Sequence, residues 1–133
     1  MSNASTFIDL YTGLGYLFYS VAAGDGKVRP AEVGRLKDLV KEKWLPLEGS
    51  RDEFGTDAAH YIGMSFDFAV GEEMGSEEAF DRFAESYRGH AAHYDAGLKR
   101  MVLETATAIG DAFHGTNKAE KVRLDALKKL LHG

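Results

Sequence analysis

The sequence predicts an all-α protein: a single compact bundle of about six to seven helices with a weak internal pseudo-repeat. Three observations carry that expectation. Proline occurs only at positions 30 and 46. Apolar residues recur at offsets of three and four rather than alternating, which is the period of a helix and not of a strand. Glycine turns and N-terminal capping patterns separate the periodic stretches.

The first helix is expected over residues 5–23, where Phe7, Leu10, Tyr11, Leu14, Phe18 and Val21 share a face. Its low polar content predicts a central position in the bundle. Met1 to Ala4 are expected to be disordered. Gly24-Asp25-Gly26 breaks the helix, Pro30 suits a first helical position, and Glu32 complements the positive end of a second helix. Val33, Leu36, Val40 and Trp44 continue that face until Pro46 stops it. Ser50-Arg51-Asp52-Glu53 has the capping-box pattern and opens a third helix, apolar through Tyr61, Ile62, Phe66, Phe68 and Ala69.

Gly75-Ser76-Glu77-Glu78 is a second stop-and-start signal, and Phe80, Phe83, Ala84 and Tyr87 form the face of a fourth helix ending near Gly89. A fifth helix is expected from about Ala92, marked by Leu98, Met101, Val102, Thr105 and Ile109. Asn117-Lys118-Ala119-Glu120 caps a last one, with Leu124, Leu127 and Leu131 inward. No linker divides the chain, so residues 1–133 are read as one domain. Several glycines fall inside helices, Gly13 and Gly15 among them, each costing about 1 kcal/mol relative to alanine. Close helix–helix approach is the expected reason. Gly13-x-Gly15 lacks the third glycine and the preceding strand of a dinucleotide loop.

Composition excludes several chemistries. The chain has no cysteine, which removes thiol catalysis, redox CxxC pairs and thiolate zinc sites, and suits a reducing compartment. Net charge is -5, and the densest basic stretch, Lys118 to Lys129, alternates with Glu120, Asp125 and leucines. That is a solvated helix face, and no nucleic-acid partner is expected. No apolar run approaches the roughly 18 residues needed to span a bilayer, and Leu14 to Ala23 follows Asp9 rather than a basic segment. Neither an integral membrane segment nor a signal peptide is expected, and the cytoplasm is the expected location.

The sharpest motif is the stretch from Ala22 to Val33. Laid on an EF-hand loop, Asp25, Gly26 and Glu32 match positions 5, 6 and 12, but Val21 and Ala23 stand where two carboxylates are required, so it is not an EF-hand. What remains is a tight turn with one carboxylate at its tip and another on the next helical turn. The bland reading is a turn residue and a helix-dipole glutamate. Ile109 to Glu120 repeats the scheme, with His114-Gly115 in place of Asp25-Gly26 and Asp111 one turn earlier. If the two halves pack around a pseudo-twofold axis, Asp25, Glu32, Asp111 and Glu120 converge. Such a carboxylate set suits a hard divalent cation such as magnesium, calcium or manganese, with zinc not distinguished.

The stretch Phe18 to Val33, with its alanine-rich Asp-Gly turn and early glutamate, resembles the signature of TerB-like domains. The resemblance implies an all-helical bundle of about this length, a link to tellurite resistance and related stress responses, and an acidic metal-binding cluster. Asp25 and Glu32 match the first motif and Glu120 the second; His114 departs from the acidic residue expected in the second turn.

Other constellations are less complete. Asp57-x-x-His60 and His90-x-x-His93 lack the paired Glu-x-x-His motifs of a dinuclear site. Glu72-Glu73 and Glu77-Glu78 are expected to be helix-end charges. The function expected is a stress-related, non-enzymatic binding or scaffold module with an acidic divalent-cation site. A protein-interaction or dimerisation domain without metal is the first alternative, its partner an unidentified protein or a second copy. A small-ligand carrier or enzyme using an aromatic pocket lined by residues such as Tyr11, Tyr16, Tyr19, Tyr61, Phe66 and Phe68 is the second.

Overall fold

Helical periodicity is realised as six α-helices, seen in a computed structural model that describes residues 3–24, 28–44, 52–114 and 118–132. Within these, side chains are described outside 3–7, 44, 52–59, 114, 118–120 and 123. The helices are α1 (Asn3–Ala23), α2 (Val33–Trp44), α3 (Asp52–Gly71), α4 (Ser76–His90), α5 (Ala96–His114) and α6 (Lys118–His132), with 3-10 turns at Pro30–Glu32 and Ala91–His93. No strand occurs among the described residues.

The low polarity of α1 has the predicted consequence. This helix packs on α3, α4, α5 and α6, while α2 lies against α3 and α5. Leu10, Leu14, Leu17, Phe18, Tyr19 and Val21 are all fully buried, a run that covers most of the circumference of the helix. A helix apolar all round belongs inside the bundle, and this one is. It starts at Asn3, earlier than residue 5.

The two glycines of α1 have separate tasks. A Cβ on Gly13 would lie 2.7 Å from the Ser86 Cβ on α4. A Cβ on Gly15 would lie 2.7 Å from the Ile62 carbonyl oxygen on α3. Both distances are impossible contacts, so the absence of side chains lets two neighbours approach the central helix. Hydroxyls then cross each close contact: Ser65 donates to the Thr12 carbonyl at 2.8 Å, and Ser86 donates to the Asp9 carbonyl at 3.5 Å.

One further helix boundary differs from expectation, and two others are built by contacts that the sequence pattern does not carry. The fifth helix begins at Ala96 rather than near Ala92, because the Asp95 carboxylate accepts the Leu98 backbone N–H at 2.8 Å and caps it there. Ser76 does not cap α4; its hydroxyl instead donates to the Ser20 carbonyl on α1 at 2.9 Å. At the end of α3, Glu73 adopts a left-handed φ of 53° while Met74 N–H reaches back to Ala69 and Glu73 N–H to Val70. This is the glycine-type helix stop built with a glutamate. Ser50 and Arg51, half of the third capping box, lie outside the described residues.

Phe68 corrects the expectation that the α3 aromatics point inward. Ile62, Phe66 and Ala69 are fully buried, but Phe68 is 47% and Met64 52% exposed. At about 100° per residue, positions two apart from Phe66 sit roughly 200° around the helix and face the opposite side.

Candidate functional site

Glu32 closes the 3-10 turn that leads into α2. Its N–H donates to the Arg29 carbonyl at 2.9 Å, and its Oε1 accepts the Arg29 N–H at 3.3 Å. This is the carboxylate half of a capping box, and Pro30 occupies the first position of the turn. Glu32 therefore acts as a helix-start residue in its own turn. A carboxylate has about four acceptor sites, so one backbone contact leaves it able to take a cation as well.

Arg35, one turn further on, crosses to α5. Its guanidinium donates to the Ala112 carbonyl and lies 4.8 Å from the centre of the Phe113 ring. The positive charge thus sits on the last turn of α5, where the helix dipole is negative and carbonyls lack intrahelical partners. Ala112 and Phe113 directly follow Asp111. The two segments singled out in the sequence, around Glu32 and around Asp111, therefore meet at one end of the bundle.

Asp111 itself is exposed and turns into a groove of about 500 Å³ between α2, α5 and α6. Glu104, Thr107 and Asp111 line it from α5, with Leu103 and Ala108 as its apolar part. Lys43 closes it from α2 and Lys128 from α6, and Arg100 stands at the N-terminal end of the α5 wall.

Asp25 lies outside the described residues, as do the side chains of Glu120, His114 and Asp57. Among the described residues, no group of three or more histidines, aspartates or glutamates is placed to hold a metal ion. His60 and His93 are exposed and His90 half-buried, with the His90 and His93 rings 6.3 Å apart. Glu77 and Glu78 stand in the first turn of α4, as helix-end charges should.

Behind the candidate turn lies a buried polar joint that no sequence pattern announced. The Tyr19 hydroxyl donates to the Met74 carbonyl at 2.5 Å and accepts the Val28 N–H at 3.4 Å. Burial pushes its pKa above the usual tyrosine value, and the Val28 hydrogen bond partly offsets this. Val28 precedes the 3-10 turn that leads into α2 and Met74 lies in the α3–α4 connection, so one phenol joins both segments to α1. A second phenol, Tyr94, is 4% exposed and has no hydrogen-bond partner among the described residues. Its ring meets Tyr87 edge-on at 4.8 Å. Burial, with Tyr87 alongside, drives its pKa far upward.

Exposed Phe68 packs edge-on against Tyr16 at 6.5 Å, and the Arg82 guanidinium lies over both rings at 5.9 and 5.4 Å. Met64 is one turn away on α3. No described helix is long and apolar enough to cross a membrane. Compared with known proteins, the chain matches no family model, no curated protein and no solved structure.

Proposed function

We propose that this chain is a TerB-like, stress-related binding module without enzymatic activity, acting in the cytoplasm and holding a divalent cation through Asp25, Glu32, Asp111 and Glu120. The observation that carries the reading is the contact of Arg35 with Ala112 and Phe113, which sets the Glu32 turn beside the last turn of α5. A pseudo-repeat can build a shared site only if its two halves adjoin. The donors are carboxylates, which favour magnesium, calcium or manganese over softer ions. Glu32 retains acceptor capacity beyond its bond to Arg29, and Asp111 is exposed, so both fit an oxygen-liganded ion.

The test is calorimetric titration of metal-stripped protein with calcium, magnesium, manganese and zinc, beside an Asp25→Ala and Glu32→Ala double variant. Binding in the micromolar-to-millimolar range, lost in the variant, supports the site. Absence of binding by the folded wild-type protein overturns the cation part of the proposal.

The surface cluster of half-buried Tyr16 with exposed Met64, Phe68 and Arg82 favours a second reading, a protein-interaction or dimerisation domain. Aromatic residues, methionine and arginine are the types enriched where proteins meet. Sedimentation analysis of wild type and Phe68→Ala checks it for self-association: a concentration-dependent dimer in wild type alone supports dimerisation, and a strict monomer in both removes that form of it.

A further inference from the structure

The groove between α2, α5 and α6 gathers three cations in an acidic protein. Lys43, Arg100 and Lys128 come from three different helices and line one cavity, against two carboxylates, Glu104 and Asp111. The whole chain carries -5. The groove therefore reverses the local sign of the surface. None of the three cations has an ion-pair partner within 4 Å among the described residues.

The arrangement is also polarised along the groove. Arg100 lies at one end of the α5 wall and Asp111 eleven residues later, a rise of about 16 Å along the helix. Lys43 from α2 and Lys128 from α6 line the same groove, with Asp111 at the end of the α5 wall away from Arg100. Leu103 and Ala108 give the wall an apolar strip, and the Thr107 hydroxyl proton is committed to the Leu103 carbonyl at 2.8 Å, which leaves the charged side chains as the donors of the groove. Like charges brought together from separate elements repel one another, and an anion seated among them relieves that repulsion.

We propose that this groove binds a small organic anion, a molecule carrying carboxylate or phosphate oxygens, with its acidic group on Arg100, Lys43 and Lys128 and its body along Leu103 and Ala108. Arginine supplies the forked donor that matches either oxyanion, and the two lysines add point charges. The cavity volume of about 500 Å³ falls within the range of small-molecule sites. The site goes beyond the cation reading and does not depend on it.

The experiment is an NMR titration of uniformly labelled, metal-free full-length protein with succinate, with inorganic phosphate, and with sodium chloride at matched ionic strength. Saturable shifts confined to amides near Lys43, Arg100 to Asp111 and Lys128 are expected for at least one oxyanion and not for chloride. Which of succinate and phosphate binds more tightly assigns the acid. An Arg100→Gln and Lys128→Gln double variant is expected to weaken binding at least tenfold. Glu104→Gln is expected to tighten it, an effect that loss of folding cannot mimic. Shifts equal to those from chloride, shifts scattered over the surface, or affinities unmoved by all three substitutions overturn the proposal.

Discussion

The hydroxyl of Tyr19 donates to the carbonyl of Met74 at 2.5 Å, across 55 residues of chain, and in doing so ties the central helix to the α3–α4 turn. The same oxygen receives the Val28 N–H, so both of its partners are backbone groups from connections rather than from helices. Removing the hydroxyl strands a buried carbonyl and a buried N–H together.

Tyr19→Phe is therefore expected to destabilise the fold by about 1–2 kcal/mol, since buried polar groups left unpaired lose more than an average hydrogen bond contributes. Urea unfolding followed by circular dichroism measures it. An unchanged midpoint would mean that water or another group takes over both partners.

Tyr94→Phe is expected to do the reverse. The hydroxyl there is buried without a partner among the described residues, so its removal should stabilise the protein by about 1 kcal/mol. Alkali sharpens the contrast. Tyr94 has a folded pKa raised above the ordinary 10.0, so the unfolded chain loses this proton first. As pH rises above 10 the unfolded chain ionises at this position while the folded protein does not, so wild-type stability is unaffected by Tyr94 titration below pH 10 and falls progressively above it towards the folded pKa. Wild-type stability should fall more steeply above pH 10 than that of Tyr94→Phe, as read from urea midpoints of both proteins across that range.

Two glycine substitutions should differ in sign. Gly34→Ala adds a methyl group with nothing within 4 Å at an exposed position of α2, and should stabilise by about 0.5–1 kcal/mol through helix propensity and unfolded-state entropy. Gly15→Ala places a carbon 2.7 Å from the Ile62 carbonyl and should destabilise by about 1–3 kcal/mol despite the same propensity gain. Thermal melts of the pair test whether close approach of α3 explains the glycine.

These relationships also mark how much was legible beforehand. Helix number and order followed from apolar spacing, from Gly24 and Gly75, and from the capping patterns, because those signals are local. The centrality of α1 followed from its missing polar face. The inward–outward sense of Phe68 did not, because an aromatic raises apparent apolarity wherever it points; counting 200° from Phe66 would have placed it outside. The bond from Tyr19 to Met74 and the reach of Arg35 to Ala112 join side chains to backbone carbonyls far away in sequence, and any residue type supplies a carbonyl. The acidic motif was legible as composition only. Spacing identified Glu32 and Asp111, but not that Glu32 caps its own turn or that Asp111 lines a groove shared with lysines. An Asp-x-x-Leu pattern at Asp95 to Leu98 was available and would have moved the start of α5.

The position of α1 has a consequence for how the protein is made. Ser86 and Asp9, joined in the finished bundle, are 77 residues apart. At roughly 5–20 residues per second, the ribosome needs about 4–15 s after Asp9 to deliver Ser86. For most of that interval α1, which ends at Ala23, is complete while α4, which starts at Ser76, has not begun. The central helix is therefore made before the helices that enclose it.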